Sequence, residues 1–146
     1  MKNVCVILND DKAKFNFLKG LICLSKATEI KEGVIGINTQ EKMFLETAMK
    51  AIDINKNDQS ILNALINAKE NDDNISFENS EQALFFLREG IQICNIDGNY
   101  SDEERKLVYS LAKKLGVSKA SVAIIENWVE AGRKWEEKGD ALLKLK

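Results

Sequence analysis

The chain contains no proline and only 8 glycines in 146 residues, so very little in it interrupts a helix. Proline and glycine are the residues that most disfavour a helix interior. Apolar residues recur at intervals of three and four along most of the chain, which is the spacing of one face of an α-helix. These features predict an all-α protein. The length favours a single domain over residues 1–146.

Six stretches carry this helical spacing, and short polar segments separate them. They cover residues 17–24, 43–52, 61–66, 84–94, 107–115 and 122–135. The longer connections are expected at residues 27–38 and 70–79. The segment from Val4 to Leu8 is the only strand-like piece, and a lone strand has no partner to pair with. We therefore expect it to pack as a helix or an extended arm against a bundle of six to seven helices.

Local signals mark where several helices begin and end. Asp10-Asp11 suits a helix N-terminus, because acidic side chains there favourably oppose the helix dipole. Ser101 and Glu104 have the spacing of a capping box, in which each side chain accepts a hydrogen bond from the other residue's backbone N–H. Gly116 can end the fifth helix in a left-handed turn. Ser118 is placed to cap the sixth.

The two halves of the chain show a similar pattern. Residues 41–54 align with residues 104–117, residues 61–65 continue the same register onto 124–128, and Gly20 matches Gly90. This alignment predicts an internal duplication, with halves at residues 10–70 and 80–146 packed about a pseudo-twofold axis. The alternative is a chance match, since the apolar stripes of unrelated helices often align.

Composition narrows the classes of function. The chain has no histidine, which excludes histidine metal sites and catalysis by Ser/His or Cys/His pairs. The 21 basic and 23 acidic residues nearly balance, which argues against a dedicated nucleic-acid binder.

Three cysteines with no CxxC motif favour reduced thiols in the cytoplasm. The N-terminal apolar run is too short for a signal peptide, and no stretch approaches the ~20 apolar residues of a membrane span. Association with a membrane surface stays open.

One segment carries groups that could bind a cation. Residues 95–104 are similar to the second half of an EF-hand loop, in which alternate oxygens, a glycine turn and a final Glu surround calcium. Ile93 stands at the first ligand position and has no side-chain oxygen, so such a site would be weak or absent. The alternative is a tight helix–turn–helix without metal. The oxygen ligands of the EF-hand hypothesis are Asn95, Asp97, Ser101 and Glu104.

The same segment is similar to a known family. Its pattern reads Cys94-Asn95-Ile96-Asp97-Gly98-x-x-Ser101-x-x-Glu104-x-x-Leu107, followed by Leu111-Ala112-x-x-Leu115-Gly116-Val117-Ser118. This pattern resembles the tellurite-resistance TerB family. There, a helix ends in Ala-Asp-Gly, a Ser/Thr-x-x-Glu start follows, and the next helix ends in Leu-Gly and an aliphatic residue. The resemblance extends over residues 17–128 and is strongest over residues 87–117.

The resemblance to TerB implies an all-α fold of two pseudo-symmetric halves with an acidic cluster suspected of binding a divalent cation, calcium or manganese. Asp97 and Glu104 would belong to this cluster, with Glu41 as the matching acid of the first half. Residues 26–30 replace the Ala-Asp-Gly of the first loop, so Glu29 or Glu32 would have to substitute. The implied function is a non-enzymatic adaptor in the response to tellurite or general stress. The alternative is a metal-dependent enzyme or a metal sensor that uses the acidic loops.

The last predicted helix carries a second apolar face. Trp128, Trp135 and Leu142 stand seven residues apart and share one side of it. The interpretation that the sequence favours places Trp128 in the core and has the domain cover the last turns, so deleting residues 134–146 would destabilise the monomer. In the alternative, the helix overruns the domain and offers Trp135 and Leu142 to a partner protein or a second copy.

Overall fold

The computed structural model describes residues 4–32, 37, 39–96 and 98–146, without the side chains of residues 28–32. Within these ranges the chain is all-α, as predicted, and no strand occurs. Val4–Ile7 forms one helical turn, so the strand-like segment packs as a helix. The helices are α1 (Val4–Ile7), α2 (Asp11–Glu32), α3 (Thr39–Ile52), α4 (Lys56–Asn67), α5 (Ser80–Cys94), α6 (Asp102–Lys114) and α7 (Lys119–Leu142).

The predicted start signals lie at helix starts, and each forms a cap there. Asp10 Oδ1 accepts a hydrogen bond from the backbone N–H of Ala13 at 2.8 Å. Ser101 and Glu104 form the complete capping box of α6. The Ser118 side chain accepts from the backbone N–H of Ser121 at 3.1 Å and starts α7. Local side-chain chemistry therefore sets these helix starts.

Gly116 ends α6 as the sequence predicts. Its φ of +76° lies in the left-handed region that glycine adopts without strain. The N–H of Val117 donates to the carbonyl of Ala112 at 2.9 Å, and the N–H of Gly116 donates to that of Lys113 at 3.2 Å. This pair of bonds is a Schellman motif, which satisfies carbonyls at the helix end and turns the chain toward α7.

Helix α2 lies at the centre of the bundle and packs against α3, α4, α5 and α6. Its most extensive contact is with α5, where a Cβ added to Gly20 would lie 2.3 Å from Phe86 Cε1. Phe17 stacks on Phe85 with ring centroids 5.1 Å apart, and a Cβ on Gly90 would meet Leu24 at 2.6 Å. These contacts advance along both helices together, so α2 and α5 run in the same direction at their crossing.

A buried lysine fastens α2 to the end of α4. Lys26 is 5% exposed, and its ammonium donates to the carbonyls of Leu65, Ala68 and Glu70 at 2.9, 2.6 and 2.7 Å. These carbonyls lie at and just beyond the C-terminus of α4, where a cation also opposes the negative end of the helix dipole. One side chain therefore binds three backbone carbonyls at this helix end, of which that of Leu65 also accepts the N–H of Ala68 at 3.3 Å.

Two expectations from the sequence are wrong. The predicted connection at residues 27–38 begins too early, because α2 continues through Glu32. Trp128 is not in the core, since 55% of it is exposed.

The segment at residues 70–79 is irregular, as expected. The internal duplication stays a prediction, although Glu41 and Glu104 are each the third residue of a helix, and Asn55 and Ser118 each cap the next one.

We expect Ser101→Ala to lower the free energy of unfolding by about 1 kcal/mol, because the variant loses the hydroxyl that caps α6. Denaturant titration followed by circular dichroism measures the change. Ser110→Ala is the control, since Ser110 is exposed in the interior of the same helix. Equal midpoints for the Ser101 variant and the original protein would contradict the capping role.

None of the described helices is both long and apolar enough to span a bilayer.

Candidate functional site

The turn between α5 and α6 carries the residues of the cation hypothesis. Gly98 has a φ of +79°, and its N–H donates to the carbonyl of Asn95 at 2.9 Å. The Asn95 side-chain amide donates to the carbonyl of Ile91 at 2.8 Å. Asn95 therefore uses its side chain to cap α5. Asp97, the central acid of the hypothesis, lies outside the described residues.

Glu104 takes part in helix capping. The carboxylate is buried, at 2% exposure, and its Oε1 accepts a hydrogen bond from the backbone N–H of Ser101 at 2.9 Å. Ser101 Oγ in turn accepts from the N–H of Glu104 at 3.2 Å. A cation at this carboxylate would compete with a bond that holds the start of α6.

The other predicted acids lie on different helices. Glu41 is 3% exposed near the start of α3, a helix that packs against α1 and α2. Helix α6, which carries Glu104, packs against α2, α5 and α7. Glu29 and Glu32 lie in the last turns of α2, and their side chains are outside the description. Across the described part of the chain, no three potential ligands come together as a metal site.

An apolar cavity opens between α3 and α5. Its volume is about 660 Å³, within the range of small-molecule sites. Arg88 and Glu89 are the charged residues of its described lining, and they form an ion pair at 3.0 Å. The cavity offers hydrophobic contact, one neutralised pair and two polar residues, Gln40 and Thr47. Its apolar walls include Phe17, Met43, Phe44, Ala48, Ile52 and Phe85.

Arg88 also connects this cavity to α7. Its guanidinium lies 5.3 Å from the centre of the Phe85 ring and 5.6 Å from that of Trp128, and both distances are within cation–π range. A second cleft, of about 780 Å³, follows on the α7 side and shares Phe44 and Ile96 with the first. Sequence patterns gave no sign of this arrangement, because Arg88 meets Trp128 only through packing of α5 against α7.

A polar cluster fixes α6 against α7. The Tyr109 hydroxyl donates to Glu126 Oε1 at 2.7 Å, and Arg105 Nε lies 3.1 Å from Glu126 Oε2. Nearby, the Tyr100 hydroxyl is buried without a hydrogen-bond partner in the described part of the chain. Burial, and then the Glu126 carboxylate, raise the pKa of Tyr100. This phenol therefore stays neutral at physiological pH. The bonds of Glu126 to Tyr109 and Arg105 connect α7 to α6.

The three cysteines form no disulfide, and two of them are buried. Burial, followed by the carboxylates of Asp73 and Asp72, raises the pKa of the Cys23 thiol to about 11. Because the thiolate is the reactive form, Cys23 is unreactive at neutral pH.

Helix α7 exposes most of its C-terminal half. Val122 and Val129 are its buried residues, and every residue from Lys134 onward is exposed. Trp135 and Leu142 are 75% and 63% exposed, so the domain does not cover the last turns. The favoured interpretation of this helix is therefore wrong, and the second apolar face lies open.

Fold and surface together define an all-helical protein with an apolar cavity between α3 and α5 and an open apolar face on α7. Comparison with known proteins found no family model, no curated protein and no solved structure that matches this chain.

Proposed function

We propose that this protein is a non-enzymatic helical module that acts as an adaptor by binding another protein chain through α7. The observation that carries the proposal is the exposure of Trp128, Trp135 and Leu142 on one helix that continues past its last buried residue, Val129. Large apolar side chains left in water on one side of a helix typically mark an interaction surface. Proteins also bind such helices in apolar grooves.

We propose that this helical module is of the TerB type, on the basis of the sequence resemblance around residues 87–117. A role in tellurite resistance or general stress response follows from that resemblance alone. The proposed setting is the cytoplasm, where thiols stay reduced. The absence of a disulfide among Cys5, Cys23 and Cys94 agrees with this setting.

Deleting residues 134–146 tests the adaptor proposal. We expect the truncated protein to keep its thermal midpoint, because every deleted residue is exposed, and to lose its association with other chains. Circular dichroism melts and analytical ultracentrifugation measure the two properties. Ile61→Ala is a useful control because it removes an exposed apolar group from α4 and leaves α7 intact. A truncated protein that unfolds would contradict the proposal, since these turns would then serve the fold.

A divalent cation is a second proposed ligand, and we expect it to bind more weakly than a dissociation constant of ~10⁻⁵ M. Ile93 provides no first ligand, and Glu104 already accepts the Ser101 N–H. Calorimetric titration with calcium and with manganese measures the affinity.

Glu104→Gln is the matched variant for this titration, because glutamine preserves a capping box but removes the charge. If calcium or manganese binds with micromolar affinity and the variant loses it, the metal-sensor or metal-dependent enzyme alternative replaces the adaptor.

A further inference from the structure

The cavity between α3 and α5 is closed at one end by α1. This short helix packs against both α3 and α5 and contributes Val4 to the cavity wall. Cys5 Sγ lies 3.9 Å from the carbonyl oxygen of Ala51, near the end of α3. The side-chain amide of Gln82, near the start of α5, donates to the carbonyl of Ile7 at 3.1 Å. Helices α3 and α5 therefore run in opposite directions along the cavity, and α1 closes it where α3 ends and α5 begins.

The chemistry of the wall changes with distance from α1. The wall residues next to α1 carry only hydrocarbon side chains, and they are Val4, Ala51, Ile52 and Phe85. One helical turn further from α1, the wall carries polar groups, which are Thr47 on α3 and Arg88 and Glu89 on α5. The closed end is therefore suited to a hydrocarbon chain, and the next turn is suited to a hydrogen-bonding group.

Arg88 and Glu89 form a unit whose charges balance and whose donors are not all used. Arg88 Nε donates to Glu89 Oε1 at 3.1 Å, and Arg88 Nη2 lies 3.0 Å from the same oxygen. Glu89 Oε2 accepts from Gln92 Nε2 at 3.3 Å. A guanidinium has five N–H groups, so both N–H groups of Arg88 Nη1 are left without an acceptor among the described residues. The polar part of the wall therefore offers N–H donors without a net charge.

We propose that this cavity binds an uncharged amphiphile, a molecule with a short hydrocarbon chain and a hydroxyl or carbonyl head. The chain lies at the closed end, against Val4 and Ala51, and the head oxygen accepts a hydrogen bond from Arg88 Nη1. This inference is independent of the adaptor proposal, because the site is formed mainly by α1, α3 and α5 and does not use the exposed face of α7.

The balanced pair favours an uncharged head over a charged one. A carboxylate head would bring a second negative charge close to Glu89, and an ammonium head would meet the cation of Arg88. Burying a charge that has no opposite charge of its own is costly. A hydroxyl or carbonyl oxygen needs only a donor, which Arg88 provides. Because α1 closes one end, the site is also suited to the end of a chain and not to the middle of a polymer.

A titration of the full chain, followed by the NMR shifts of its backbone amides, tests the ligand class. The probes are 1-hexanol, hexanoate and hexylammonium, which have chains of equal length and differ in the charge of the head. We expect 1-hexanol to shift the amides of α3 and α5 to saturation, and the two ions to bind roughly tenfold more weakly or less. One methylene fewer, in 1-pentanol, should weaken binding about fourfold. The absence of a saturable shift with 1-hexanol, or equal binding of hexanoate, would overturn the proposal.

Filling the closed end tests where the chain lies. Ala51→Leu adds an apolar side chain at an exposed position of this end and should weaken the binding of 1-hexanol roughly tenfold or more, because the added atoms occupy the space of the chain. Ala120→Leu is the matched control, since it makes the same change at an exposed position in the first turn of α7 and should bind as the original protein does. Unchanged binding by the Ala51 variant would overturn the placement of the chain.

A change in head preference tests the role of Arg88. Glu89→Gln removes the negative charge but keeps an oxygen that accepts from Arg88, so the cation is no longer balanced. Hexanoate should then bind about tenfold more tightly than it does to the original protein, because a charged acceptor strengthens the bond from the guanidinium. The binding of 1-hexanol should change little. A gain of binding cannot result from unfolding, and a variant without this gain would overturn the assignment of Arg88 as the group that binds the head.

Discussion

Replacing Lys26 by methionine is expected to lower the free energy of unfolding by roughly 3 kcal/mol, because a hydrogen bond from a charged donor contributes about 1.5–3 kcal/mol and the variant loses three such bonds. Methionine keeps an apolar stem but cannot donate to the carbonyls of Leu65, Ala68 and Glu70. Denaturant titration followed by circular dichroism measures the loss.

Lys12→Met is the matched control for this experiment. Lys12 is exposed in the first turn of the same helix, so its substitution should leave the midpoint nearly unchanged. Hydrogen exchange gives an independent readout, since the last turn of α4 should lose protection only in the Lys26 variant. If the Lys26 and Lys12 variants have the same stability, water donates to these carbonyls as well as the ammonium does. The proposed anchoring role of Lys26 is then wrong.

Gly20→Ala is expected to destabilise the protein by about 2–3 kcal/mol through overpacking. The added Cβ would lie 2.3 Å from Cε1 of Phe86, which is fully buried and has no room to withdraw. Gly132→Ala is the same chemical change in an open helical position. It should raise stability by up to ~1 kcal/mol, because alanine favours the helix. Denaturant titration followed by circular dichroism measures both changes.

A second substitution identifies the cause of the Gly20 effect. Phe86→Leu makes space beside residue 20, so the double variant should lose less stability than the sum of the two single variants. Additive losses would mean that the alanine disturbs the helix crossing in some other way.

Much of the fold could be predicted from the sequence because its signals are local. The caps at Asp10, Ser101 and Ser118 and the left-handed Gly116 each depend on residues within one turn, and the structure contains all four. The absence of proline and the apolar spacing predicted the helices themselves. The early end assigned to α2 came from the gap between two apolar stripes, whereas residues 27–32 contain no helix breaker.

The surface could not be predicted because it depends on distant parts of the chain. Helix α7 has two apolar faces, one through Val129 and one through Trp128, and periodicity alone does not say which one meets the domain. The burial of Lys26 could not be predicted from its neighbours, because the carbonyls that accept its hydrogen bonds lie 39 to 44 residues further along the chain. The same holds for the cavity between α3 and α5, which forms only when distant helices pack. For the candidate cation site, Asp97, Glu29 and Glu32 stay predictions.

The position of the tryptophans decides what optical experiments on this protein will report. The chain has only two, Trp128 and Trp135, and both lie on the exposed face of α7. Indole emission responds to the polarity around the ring, so the intrinsic fluorescence reports the environment of α7 rather than the integrity of the core. A spectral shift without a change in circular dichroism will therefore mark the docking of α7, whereas global unfolding will change the dichroism and also separate Trp128 from Arg88.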